Sequence, residues 1–86
     1  MATIEEDVLA YIRAEFLPPE RAAQLTPATP LITSTILNSL TTLQLVGFLE
    51  ERYGIAIAAH EANVQYLNTA EQIAALVRGK QGKTGA

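Results

Sequence analysis

Asn38-Ser39-Leu40-Thr41-Thr42-Leu43-Gln44-Leu45-Val46-Gly47-Phe48-Leu49-Glu50-Glu51-Arg52-Tyr53-Gly54 is the stretch that decides the fold. Asn38 is a good N-cap, because its side-chain oxygen accepts one of the N–H groups that a first helical turn leaves without a partner. Gly54 stands where a left-handed residue ends a helix. Between them the spacing predicts a helix over Ser39 to Tyr53. Leu45, Val46, Leu49 and Tyr53 form one core-facing stripe about 100° wide. Leu40, Leu43 and Phe48 fall on the other side. One helix of a thin bundle cannot bury both groups against its neighbours. Either the preceding connection folds over the second group, or part of it, Leu40 and Leu43 first, stays at the surface beside Ser39 as a docking surface.

Outward from this helix, Ile4, Val8, Tyr11, Ile12 and Phe16 recur at helical spacing and predict a first helix from about Ile4 to Leu17. Thr3 with Glu6 reads as its capping box, and Glu5, Glu6 and Asp7 favour the positive end of its dipole. Pro18-Pro19 end it. Residues 18 to about 37 form a long connection carrying Pro18, Pro19, Pro27 and Pro30, with room for a short helical turn at Glu20 to Leu25. A connection this long must be functional or packed. Its apolar anchors Leu25, Leu31, Ile32, Ile36 and Leu37 favour packing. After Gly54 a short extended link should bury Ile55 and Ile57. A short third helix fits within Ala58 to Tyr66. Thr69 with Gln72 reads as the capping box of a final helix to about Arg78, with Ile73, Leu76 and Val77 inward. The expected fold class is all-α, with one domain over residues 1–78 and a frayed, flexible tail over 79–86.

Composition narrows the function. The chain of 86 residues supports one small domain. Such a domain buries only about 60% of the surface its unfolded chain exposes. The absence of cysteine removes a disulfide framework and thiolate metal sites. The net charge is -3, and the basic residues are scattered, which argues against nucleic acid. No apolar run reaches the ~20 residues of a membrane span. The acidic start does not resemble a signal peptide, so a cytoplasmic protein is expected, and a monomer is expected as well.

Ser39 is the candidate site. On residue types alone, Asn38-Ser39 ahead of an apolar helix reads as capping. The same place suits an attached phosphodiester, because a helix start offers free N–H groups and the positive dipole end. His60 is the single histidine and has no partners for a metal shell, so no metal ligand is assigned. A Ser39–His60–Glu61 triad lacks the Gly-x-Ser-x-Gly elbow, and no catalytic residue is assigned. Tyr11, Phe16, Tyr53 and Tyr66 read as core.

The stretch from Leu31 to Val77 resembles an acyl carrier protein of the phosphopantetheine-binding family. That family has Asp-Ser-Leu at the start of its second helix, where this chain has Asn38-Ser39-Leu40. Leu45-Val46, Leu49-Glu50-Glu51, Tyr53-Gly54-Ile55 and Ile57 resemble the rest of that helix and its exit. Thr69, Ile73, Ala74 and Val77 resemble the last helix. The resemblance implies a four-helix bundle with a long first loop and a short third helix. It implies a 4'-phosphopantetheine arm moved from coenzyme A onto the Ser39 hydroxyl by a phosphopantetheinyl transferase, with Asn38 as the N-cap beside it. Acyl or aminoacyl groups would ride on the arm as thioesters between a loading ligase and downstream synthase enzymes, and the chain itself would catalyse nothing. The partner-binding face implied is Leu40, Thr41, Leu43, Gln44, Gly47, Phe48, Glu50 and Glu51. A carrier-like helical interaction module without the arm is the alternative.

Three departures from the family pattern carry consequences. Asn38 replaces the usual Asp, which keeps the cap but removes a charge. Losing a charge-assisted contact costs about 1.5–3 kcal/mol in a desolvated complex, and less at a wet rim. Thr35-Ile36 stand where relatives often have a glycine before the motif. Thr41, Thr42 and Gln44 make the exposed side of the helix neutral where fatty-acid carriers are acidic, which favours a specialised carrier, such as one for a polyketide or amino acid.

Overall fold

A computed structural model describes residues 3–34 and 36–84. Thr35 of the Thr35-Ile36 pair, and the last two residues of the expected tail, lie outside the described residues. Among these residues the chain is all-helical, with three long helices and two of a single turn. They are α1 (Ile4–Phe16), α2 (Pro19–Ala22), α3 (Ser39–Tyr53), α4 (Val64–Leu67) and α5 (Ala70–Thr84), with a 3-10 turn at Ala59–Glu61 before α4.

The boundaries follow local chemistry. The Thr3 hydroxyl accepts the Glu6 N–H at 3.1 Å, which is half of the expected capping box of α1, and the Glu6 carboxylate accepts from the Thr3 hydroxyl at 3.4 Å. Leu17 is extended ahead of the two prolines, and Pro19 takes the first position of α2, where its missing N–H costs nothing. Arg13, which the sequence does not single out, reaches from α1 to the end of α2. Its Nε donates to the Ala22 carbonyl at 3.1 Å and its Nη2 to that of Leu25 at 3.0 Å. Gly54 ends α3 at φ 64°, where an L side chain would be strained, and its N–H donates to the Glu50 carbonyl. Thr69 and Gln72 form a complete box at the start of α5, at 3.0 and 3.2 Å. That helix continues to Thr84, well past the expected end at Arg78. Two side chains help to carry it on. Arg78 holds Glu5 of α1 at 2.6 Å, and Lys80 holds Glu61 at 2.8 Å.

The core draws on every segment. Val8, Leu9 and Ile12 of α1, Leu45 and Leu49 of α3, Leu67 of α4, and Ala70, Ile73, Ala74 and Val77 of α5 are buried. Leu25, Leu31 and Leu37 of the connection join them, so that connection is packed, as expected. Ile55 and Ile57 are buried on the extended link after α3. A further clasp holds the connection in place. The Asn68 side-chain oxygen accepts the N–H groups of Ile32 and Thr33 at 3.0 and 3.1 Å. Its carbonyl accepts the Leu31 N–H. Leu37 then donates back to the Leu31 carbonyl at 2.8 Å, which closes the loop directly before α3.

α1 meets α3 through long side chains. Tyr53 donates to Asp7 Oδ2 at 2.7 Å, and Arg52 approaches the same oxygen at 3.3 Å. The Tyr53 hydroxyl hydrogen bond, then the Arg52 pair, hold the Asp7 carboxyl below its ordinary value against the opposing effect of burial. Burial, followed by that hydrogen bond, pushes the Tyr53 phenol up to about 12.

Two predictions follow from these contacts. Asn68→Ala removes two loop hydrogen bonds, one part-buried and one exposed, and should lower unfolding free energy by about 1–2 kcal/mol in urea titrations. Asn68→Asp keeps the acceptor and should lose less than half of that; equal losses would show that the clasp is not the cause. The second concerns pH. A carboxyl depressed by folding adds stability above its unfolded pKa and loses it as the pH falls through the folded one. Asp7 should therefore make the fold acid-labile below about pH 4. The raised Tyr53 phenol adds stability below its ordinary value of 10.0, which is lost as the pH rises through about 12. Tyr53→Phe should flatten both limbs of a stability–pH curve and abolish the last phenol to ionise in an ultraviolet titration.

Candidate functional site

The start of α3 is closed by two residues, and neither is Ser39. Asn38 Oδ1 accepts the Thr41 N–H at 2.9 Å, and the Asn38 N–H donates to Thr41 Oγ1 at 2.8 Å. The Asn38 carbonyl takes the Thr42 N–H at 2.8 Å. The capping box is thus complete without Ser39. The Ser39 side chain is exposed, and its hydroxyl has no hydrogen-bond partner among the described residues. The Ser39 and Leu40 N–H groups are equally without partners there, which leaves the positive end of α3 open beside the hydroxyl.

An open groove of about 650 Å³ begins at Ser39. It is lined by Ile32, Ser39, Thr42 and Leu43 together with Ala59, Ala62 and Val64. The lining is apolar except for Asn38, Ser39, Thr42 and Asn63, and no charged residue contributes to it. Thr42 corrects the sequence reading, which set it on the exposed neutral face. It is only 7% exposed. Its hydroxyl has no partner among the described residues, yet no side-chain oxygen is left both buried and unpaired. The hydroxyl therefore surfaces in the groove. At about 200° from Leu40, Thr42 falls inside the Leu45–Leu49 stripe, a signal that its polar residue type hides.

Leu40 and Leu43 are the exposed pair, at 65% and 63%. They form an apolar ridge beside Ser39, extended across the groove by Val64, which is 44% exposed. The connection does not fold over Phe48. Tyr11 of α1 covers it instead, in a parallel stack with ring centroids 4.1 Å apart, while the Tyr11 hydroxyl donates to the Gln44 carbonyl. Gln44, Gly47 and Glu51 are exposed, and Thr41 is half-buried by its part in the cap. Glu50 turns away from them: its carboxylate accepts the Ile57 N–H at 2.8 Å and fixes the exit of α3. Tyr11, Phe16, Tyr53 and Tyr66 are each half-buried against the core. His60 is exposed, and the Glu61 carboxylate is committed to Lys80 and the Ala58 N–H, so it is not free to orient an imidazole.

No family model and no curated protein matches the chain. Geometry alone separates the two roles open to Ser39. Asn38→Ala should cost about 1 kcal/mol of stability, whereas Ser39→Ala should stay within about 0.5 kcal/mol of the parent in urea unfolding. A Ser39→Ala loss as large as that of Asn38→Ala would make the serine a capping residue after all.

Proposed function

We propose that this chain is a carrier protein of the acyl carrier type, with Ser39 as the attachment point of a 4'-phosphopantetheine arm. One observation carries the reading: the Ser39 hydroxyl is exposed and unpartnered at a helix start whose capping is done by Asn38 and Thr41. The three long helices with the short α4 fit the four-helix bundle of that family. α2 and the 3-10 turn are then local features of its loops.

The residues present fit the group. A phosphodiester on Ser39 Oγ would lie by the free N–H groups of Ser39 and Leu40. The neutral groove beside it has room for a slender chain, and its size lies in the range of small-molecule sites. Thr42 offers a hydroxyl there to an amide or carbonyl. When attached, the arm supplies a terminal thiol that carries acyl or aminoacyl groups as thioesters. The chain's own part is to hold the arm's root, shelter apolar cargo along Leu43, Ala62 and Val64, and present Leu40 and Leu43 to partners. Those partners are a phosphopantetheinyl transferase, a loading ligase and downstream synthase enzymes, in the cytoplasm. The apolar, uncharged ridge favours a carrier for a dedicated acyl or aminoacyl group over one for fatty-acid synthesis.

A second reading, a carrier-like interaction module that no longer accepts the arm, is favoured by Asn38 and by the absence of any acid in the first turn of α3. Intact mass after incubation with coenzyme A and a broad-specificity transferase separates the two. The wild type should gain the mass of the arm and Ser39→Ala should not. No gain with several transferases would leave the second reading standing. Asn38→Asp keeps the cap, restores the charge and should speed loading by about two- to tenfold. Equal rates would mean that the missing charge is not read.

A further inference from the structure

A separate recess of about 170 Å³ lies in the connection between α1 and α3, and it shares no lining residue with the Ser39 groove. Leu17, Leu25 and Ile36 make its apolar part, Leu25 buried and the other two half-buried. The walls are braced by contacts that the fold already makes. Arg13 of α1 donates to the Ala22 and Leu25 carbonyls and so holds α2 and Leu25 to α1. The Leu37 N–H donates to the Leu31 carbonyl and closes the stretch that carries Ser34 and Ile36. The recess is therefore largely formed before a ligand arrives, which lowers the cost of binding.

Its polar lining is Arg21, Gln24, Thr29 and Ser34, and these are not equivalent. The Thr29 hydroxyl is engaged by the N–H and the hydroxyl of Thr26, each at 2.9 Å. The Ser34 hydroxyl donates to the Pro30 carbonyl. The side chains of Arg21 and Gln24 have no hydrogen-bond or ion-pair partner among the described residues. The acids that do form ion pairs there belong to other cations: Asp7 to Arg52, Glu5 to Arg78 and Glu61 to Lys80. An exposed guanidinium without a counter-ion thus borders an apolar recess, and it is the one charged group in the lining.

A carboxylate on a short apolar chain answers both features. Its two oxygens match the fork of a guanidinium, and the Gln24 amide offers a further donor. Its chain covers Leu17, Leu25 and Ile36. A bare oxyanion would leave those side chains wet, and an amine would be repelled by Arg21. A cavity of about 150 Å³ holds a benzene ring, so this recess has room for a chain of about four to six carbons. We infer that the recess binds a free monocarboxylic acid of that size as its carboxylate. The ligand would touch Leu17 at the end of α1 and Ile36 on the run into α3, and by binding only the folded chain it would stabilise both. This inference needs no modification of Ser39 and stands apart from the proposed carrier role.

Sodium pentanoate titrated into the unmodified, 15N-labelled chain tests it through amide chemical shifts. The shifts should saturate with a dissociation constant on the order of 1 mM, within reach of so small a ligand. They should centre on Leu17, Arg21, Gln24, Leu25 and Ile36. Acetate keeps the charge but loses three methylenes, and should bind at least about threefold more weakly. Pentan-1-ol keeps the chain but loses the charge, and should bind about three- to fivefold more weakly. Arg21→Gln removes no contact among the described residues, and should weaken pentanoate by the same factor while leaving pentan-1-ol unchanged. Shifts that never saturate would overturn the inference. So would equal binding of pentan-1-ol, undiminished binding by Arg21→Gln, or shifts centred instead on Leu43 and Val64.

Discussion

The Asn68 clasp is the constraint on which the rest of the structure depends. Twenty-two residues, from Leu17 to Asn38, separate α1 from α3, and no disulfide shortens that span. Such a segment must bury enough apolar surface to offset its ordering, yet its backbone N–H groups still require partners. Leu25, Leu31 and Leu37 supply the burial. Asn68 supplies the partners, taking three consecutive N–H groups on one residue at the α4–α5 junction. The Leu37–Leu31 hydrogen bond then transmits that position to the start of α3. The same clasp holds Ile32, which lines the Ser39 groove. One asparagine thus ties the connection to both the start of α3 and the lining beside it.

α3 serves four environments at once, and its composition shows how. Leu45 and Leu49 fill the core. Thr42 borders the core and the Ser39 groove together, which explains a small polar residue at a position that is almost wholly buried. Leu40 and Leu43 face solvent. Phe48 goes to α1. A uniformly amphipathic helix would bind the bundle more tightly but would have no surface left to offer.

Much of this was legible in the sequence, for identifiable reasons. The limits of α3 follow from Asn38 and Gly54, whose capping preferences act locally and need no tertiary knowledge. Helical periodicity sets Leu40, Leu43 and Phe48 opposite the core stripe, but leaves open which of them the chain covers. The features that escape reading are those made by distant partners. Nothing near Asn68 in sequence announces that it will meet Ile32 and Thr33. Arg13 and Glu50 look like solvated surface until their acceptor and donor arrive from other segments. The extension of α5 is similar, since residues 79–84 have a tail's composition while the Arg78 and Lys80 pairs depend on α1 and the 3-10 turn. Phe48 is covered by Tyr11 of α1, while the connection is held at Asn68.

Charge and apolar surface are segregated around α3, and the segregation has a physical consequence. The Ser39 groove has no charged lining residue, so recognition there rests on shape, dispersion and a few hydrogen bonds, which salt barely screens. The groove between α1 and α3 holds the carboxylates of Glu15 and Glu51, which no cation of the described residues pairs, so its interactions are long-ranged and salt-sensitive. A partner approaching α3 would feel that groove first, through its field, and the apolar ridge only on contact. Were a partner to bind α3, electrostatics would act on the rate and orientation of its approach, and contact with the neutral face would rest on fit. Placing acids along the Ser39 side instead would merge the two, and would add charge next to any phosphodiester on the serine.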